Sequence, residues 1–280
     1  MLSGERRDVV PIGNDLRALA WIGVMLIATG AGIVIKNHID QIGPLSIALA
    51  IGIVAAACYV WVALKKHAPL DDYVVLLGAL LISADVGFIE TQWHLLGNDW
   101  QRHFLLLAVA HAVAAYYFGS RAVLSLSIAA LAAWLGVEQR DIFRTEVELA
   151  MRAFICAGVL VLWRVFNRRT DFTPLFEHFA INVAFWGSLI LTATRTARFL
   201  GLFLTLILAG GVLLLGFRSR RELFVFFAAG YALIAIDIVI VDFISEPVIA
   251  AIYLLFSTIV AITGLFVIHA RFQNQHVANA

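Results

Sequence analysis

The feature that most constrains this chain is a repeating one: apolar blocks, each roughly 17–25 residues long, separated by short clusters of Arg, Lys, Asp, Glu, Pro and Gly. A helix of that length crosses the ~30 Å hydrocarbon layer of a bilayer and satisfies its own backbone N–H and C=O groups on the way. Apolar residues make up 62% of the 280 positions and charged residues 14%. Soluble domains run at roughly 45–50% and about 25%, and a soluble fold of this size has no interior large enough for the excess. The solvent implied is lipid.

The pattern predicts an all-α, polytopic transmembrane bundle of about ten helices. In the first half these are Leu16 to Ile35, Pro44 to Leu64, Tyr73 to Trp93, Arg102 to Phe118 and Arg121 to Val137. In the second half they are Leu149 to Phe166, Glu177 to Thr194, Phe199 to Phe217, Glu222 to Phe243 and Pro247 to Ala270. They form one membrane domain, residues 16–270, between tails at 1–15 and 271–280. No proline falls inside a predicted span, and Pro44 and Pro247 stand at first helical positions, where the missing N–H costs little. The first block reads as a retained anchor, because no small-residue cleavage site follows it.

Arg and Lys divide unequally between the two sets of loops, thirteen on the side of both termini and seven on the other, which predicts that both ends are cytoplasmic. Trp21, Trp61 and Trp163 then fall near the inner ends of their helices, and Trp93, Trp100 and Trp134 near the outer ends. Only Trp186 sits deep in a span. Two small-residue rows, Ala48, Gly52, Ala56 and Ser125, Ala129, Ala133, permit close helix approach. Gly210-Gly211 reads as a packing notch or a hinge.

Net charge is +1 and no basic run exceeds Arg218, Arg220 and Arg221, so nothing suggests a nucleic-acid partner. Cys58 and Cys156 stand alone within apolar blocks, so no disulfide or zinc spacing is present. No zinc-protease, nucleophile-elbow, phosphate-loop or dinucleotide motif occurs, and no loop is large enough to build a catalytic site. The expectation is a non-enzyme without cofactor or metal.

Ionisable residues inside a span each cost about 2.5–3.5 kcal/mol and therefore mark places of interest. Asp85, His111 and Asp237 qualify. Together they read either as a proton or cation path or as polar clasps between neighbouring helices. His111 has Ala108, Ala114 and Ala115 around it at helical spacing and so faces other helices. Asp85 and Glu90, like Asp237 and Asp242, are five residues apart and point about 140° from each other, which excludes a paired-carboxylate site on one helix. The recurrence of that spacing is a faint internal echo. Glu90 and His94 share a face beside Trp93 and read as a local charge pair or a cation site.

From Asp71 to Val137 the chain resembles a bacterial family of predicted membrane proteins classed only as a domain of unknown function, DUF2157. Asp72-Tyr73 open a helix with Gly78, and Gln92-Trp93-His94-Leu95-Leu96-Gly97-Asn98-Asp99 close it ahead of an Ala-rich hairpin. The tail of about fifteen residues departs from the longer soluble segment expected there. The resemblance implies a many-helix protein of the bacterial cytoplasmic membrane and no established activity. It places Glu90, Gln92, His94 and Asp99 in a polar cluster at the outer interface, where they cap a helix or bind a ligand.

Two functions fit these readings. One is a small-solute or ion transporter, proton-linked, with Asp85, His111 and Asp237 along an interior path. The other is a structural or regulatory component that binds lipid, another membrane protein or a second copy of itself through its helix faces.

Overall fold

Long runs of Leu, Ile, Val, Phe and Ala with no internal proline favour helix, and lipid leaves the backbone no other partner than itself. The computed structural model describes residues 43–64, 70–97, 102–136 and 146–278, together with single helical residues between 19 and 33. Among the described residues there is no strand. The helices are α1 (Pro44–Leu64), α2 (Asp71–Trp93), α3 (Arg102–Phe118), α4 (Arg121–Trp134), α5 (Glu146–Phe166), α6 (Thr173–Ala193), α7 (Arg198–Ser219), α8 (Glu222–Phe243) and α9 (Pro247–Ala278).

Among the described residues seven helices are long and apolar enough to span a membrane, namely α1, α2 and α5 to α9. The shorter apolar helices α3 and α4 reach about 25 and 21 Å at about 1.5 Å per residue. Half of the block Leu16 to Ile35, and most of the loop Glu138 to Glu148, lie outside the described residues. Boundaries moved where local chemistry dictates. A 3₁₀ turn at Thr170–Phe172 and Pro174 in the first turn start α6 at Thr173, ahead of the expected Glu177.

The chain forms two compact units, residues 1–130 and 131–280. In the first, α1 and α2 form an antiparallel pair, and Gly78 lets them meet: a Cβ there would lie 3.1 Å from Cys58 Cβ. The Ser127 hydroxyl donates to the Ala108 carbonyl at 2.7 Å and joins α4 to α3. In the second unit, Phe185, Ala209, Val212, Phe224 and Ala228 form the buried centre of α6, α7 and α8. Gly201 on α7 lies against the backbone of Leu191 and Thr192 on α6, where a Cβ would overlap the Thr192 nitrogen. Gly187 does the same for α5 and α6, facing the Ala150 carbonyl and Ala153 Cβ at 3.1 Å. Gly210 and Gly211 face open space in an unbroken helix, so the expected notch is not used.

Filling a close backbone approach costs about 1–3 kcal/mol, and each kcal/mol moves a melting midpoint by about 2–4 °C in a protein of this size class. Gly201→Ala is therefore expected to lower the apparent melting midpoint of the detergent-purified chain by about 5 °C. Gly210→Ala, which meets nothing, should leave it unchanged or slightly raised.

Candidate functional site

The seam between α1 and α2 carries the most unusual polar group. Asp85 lies seven residues after Gly78, which returns it to the same helix face, and it sits opposite Gly52. A Cβ on Gly52 would lie 3.3 Å from Asp85 Oδ2, so only the missing side chain at 52 gives the carboxyl its place. Eight residues separate Asp85 from Trp93 at the end of α2, about 12 Å of helix, which puts it inside the span.

Around it runs a groove of ≈ 510 Å³, walled by Leu49, Ile53, Ile89 and Trp93, with Ala48, Gly52 and Ala56 along its floor. The walls are almost entirely apolar, and among the described residues Asp85 is the single ionisable one lining the groove. Its Oδ1 is buried and has no hydrogen-bond partner among the described residues. A mostly apolar pocket of a few hundred Å3 with one placed polar group is the usual form of a small-ligand site.

His111 on α3 is differently placed. It is 1% exposed, with Ala108 and Ala115 also buried, and its Nε2 lies 2.8 Å from the Ser83 hydroxyl on α2. Ser83 also donates to the Ala79 carbonyl at 3.1 Å. A hydroxyl has one proton, so with Ser83 donating to Ala79 a neutral His111 ring donates Nε2–H to Ser83 Oγ; its Nδ1 is buried and has no hydrogen-bond partner among the described residues. Ser83 and Asp85 are two residues apart, about 200° around α2, so the helix itself stands between the His111 joint and the Asp85 groove. The structure does not bring these two residues together.

Asp237 belongs to the second unit and is fully engaged there. Tyr253 donates to its Oδ1 at 2.7 Å, and the Ser257 hydroxyl lies 2.8 Å from both carboxyl oxygens. Two turns of α9 thus clasp one residue of α8. Elsewhere α9 exposes Val248, Ile252, Phe256, Val260 and Phe266, so its polar bonds are its firmest attachment. Near the other end of the pair, His269 Nδ1 lies 2.5 Å from Glu222 Oε1.

At the end of α2, Glu90 does not pair with His94. Its carboxylate accepts from the Leu96 N–H, with Oε2 at 3.1 Å, while His94 takes a left-handed conformation with φ 48° and ends the helix. Gln92 is exposed, and Asp99 lies outside the described residues.

Sequence reasoning missed Ser83, Tyr253 and Ser257, which decide the roles of His111 and Asp237. A signal existed for the latter two: a tyrosine and a serine four apart in an apolar block share one face.

An all-helical chain with seven span-length apolar helices and polar groups at helix seams is a polytopic membrane protein. Residues 3–124 match the model of a family described as predicted membrane protein (DUF2157), which bears out the resemblance to that family over less than half of the chain. That match covers α1, α2, α3 and the Asp85 groove. No curated protein and no solved structure matches the chain.

Interhelical hydrogen bonds in lipid contribute about 0.6 kcal/mol on average and about 1–2 kcal/mol at most. Asp237→Ala removes two such bonds from a helix with few other contacts. Amide hydrogen exchange in α9 is expected to rise severalfold in that variant, with α6 and α7 unchanged; equal protection of α9 in both chains would contradict the clasp.

Proposed function

We propose that this membrane protein is a small-solute or ion transporter, proton-linked, whose solute-binding group is Asp85 and whose solute is a lipophilic cation. The observation that carries the reading is the buried Oδ1, with no hydrogen-bond partner among the described residues, in an apolar groove between α1 and α2. A carboxylate at that depth costs about 2.5–3.5 kcal/mol, and a cation seated beside it offsets that cost. At about 4 Å and an effective dielectric of about 20 their attraction is about 4 kcal/mol. The walls of Leu49, Ile53, Ile89 and Trp93 suit a cation with an apolar or aromatic body. His111 and Asp237, engaged by Ser83 and by Tyr253 with Ser257, act in this reading as joints that hold helices in place.

A second reading is favoured by one feature of the same groove. Ala48, Gly52 and Ala56 form a small-residue row of the kind that receives another transmembrane helix, and a partner helix with a basic or hydroxyl residue would satisfy Asp85. In that case the chain is a structural or regulatory component bound to another membrane protein or to a second copy.

Proteoliposomes separate the two. With an imposed pH gradient, uptake of a permanently charged aromatic cation such as ethidium is expected in the unmodified chain and should fall at least tenfold in Asp85→Asn. A tenfold loss is only about 1.4 kcal/mol, well within the attraction above. Asp237→Asn should retain uptake. Equal uptake by the unmodified chain and Asp85→Asn, or none by either, would remove the transporter reading.

A further inference from the structure

The second unit gathers arginine at one end. The end of α5 supplies Arg164, the connection after it Arg168 and Arg169, and the turn from α7 to α8 Arg218, Arg220 and Arg221. These two stretches converge on one carboxylate at the start of α6: Arg164 Nη2 lies 2.5 Å from Glu177 Oε1, and Arg221 pairs with Oε2. One negative charge between two guanidiniums leaves the joint positive. The other acids nearby are Glu222, which lies against His269, and the exposed Asp171. Six arginines against three carboxylates leave this end with three positive charges. At the opposite end the described segments carry three arginines, Arg152, Arg195 and Arg198, and four acids, Glu146, Glu148, Asp242 and Glu246.

Four of the six guanidiniums are exposed and pair with no carboxylate among the described residues: Arg168, Arg169, Arg218 and Arg220. Arg169 rests over the Phe172 ring at 5.6 Å, and Arg220 adopts the left-handed φ of 52° that closes α7. Both are thereby held in fixed turns. Just toward the apolar interior, Val165 and Phe166 on α5 and Leu214 and Phe217 on α7 are exposed. Guanidiniums at the ends of spanning helices, with apolar side chains beneath them, match a molecule that has a phosphate above and acyl chains below. A guanidinium fork takes two oxygens of a phosphodiester at once.

We propose that this end of the second unit is a binding site for an anionic phospholipid, with Arg168, Arg169, Arg218 and Arg220 on the headgroup phosphate and the Arg164–Glu177–Arg221 joint setting their spacing. A free phosphate would share the guanidinium chemistry but would gain nothing from the apolar flank. The site is independent of the Asp85 groove and stands whether or not the chain transports.

Trp163, one turn before the end of α5 and tilted against Phe176 at 5.1 Å between ring centres, is a built-in reporter. The full chain is reconstituted in phosphatidylcholine bilayers and titrated with brominated phosphatidylglycerol or brominated phosphatidylcholine. The difference between the unmodified chain and Trp163→Phe isolates the Trp163 signal. Brominated phosphatidylglycerol is expected to quench it at a severalfold lower mole fraction. The combined variant R168Q/R169Q/R218Q/R220Q should lose that preference, and the milder R168Q/R220Q should reduce it should the fourfold variant fail to fold. Arg195→Gln, at the opposite end, should leave it intact. Equal quenching by the two lipids, an undiminished preference in R168Q/R220Q, or relief of quenching by millimolar inorganic phosphate would overturn the proposal.

Discussion

Helices surrounded by lipid cannot gain by hiding apolar surface from water, since the acyl chains are as apolar as leucine. What joins them is close backbone approach and hydrogen bonding between side chains that lipid cannot serve. The large exposed residues along α1, α5, α7, α8 and α9, from Leu49 to Phe266, show that apolar surface is abundant on the outside of this protein. Its joints are glycines and hydroxyls instead: Gly78, Gly187 and Gly201 at backbone contacts, and Ser83, Ser127, Tyr253 and Ser257 at polar ones.

Against that rule, Asp85 stands out by what it lacks. His111 and Asp237 are as deep in their helices, but each is tied to hydroxyls on a neighbour. Asp85 faces Gly52, which has no side chain to bond it, and a groove of apolar walls. A charged carboxylate in such a place is costly unless it is paired or protonated, and its Oδ1 has no hydrogen-bond partner among the described residues. The same three residues thus divide into two with hydroxyl partners and one with none among the described residues, a division set by their neighbours and not by depth.

The helical class, the apolar blocks and the residues of interest were legible in the sequence because each depends on local properties: length, hydropathy and the rarity of a charge in an apolar run. Segment boundaries such as Pro44 and Trp93 came out as read, since proline and the interfacial tryptophan mark them locally. The end of the fifth block did not: it reads as running to Val137, and α4 stops at Trp134 because Gly136 takes a positive φ of 72°, which hydropathy does not encode. Partners were also illegible. That Ser83 meets His111 across 28 residues, or that Glu222 meets His269 across 47, depends on which helices lie side by side, and hydropathy carries no such information. Likewise, Gly210-Gly211 looks more like a contact than the lone Gly201, yet only the latter touches a neighbour.

The central proposal is that the Asp85 carboxyl receives a positive charge within the span. Infrared difference spectroscopy of the reconstituted chain, with and without tetraphenylphosphonium, reads that group directly. The prediction is a single carboxyl band perturbed by the cation and missing from Asp85→Asn, with Asp237→Asn retaining it. A spectrum in which no carboxyl band responds, or in which the same band persists in Asp85→Asn, would contradict it.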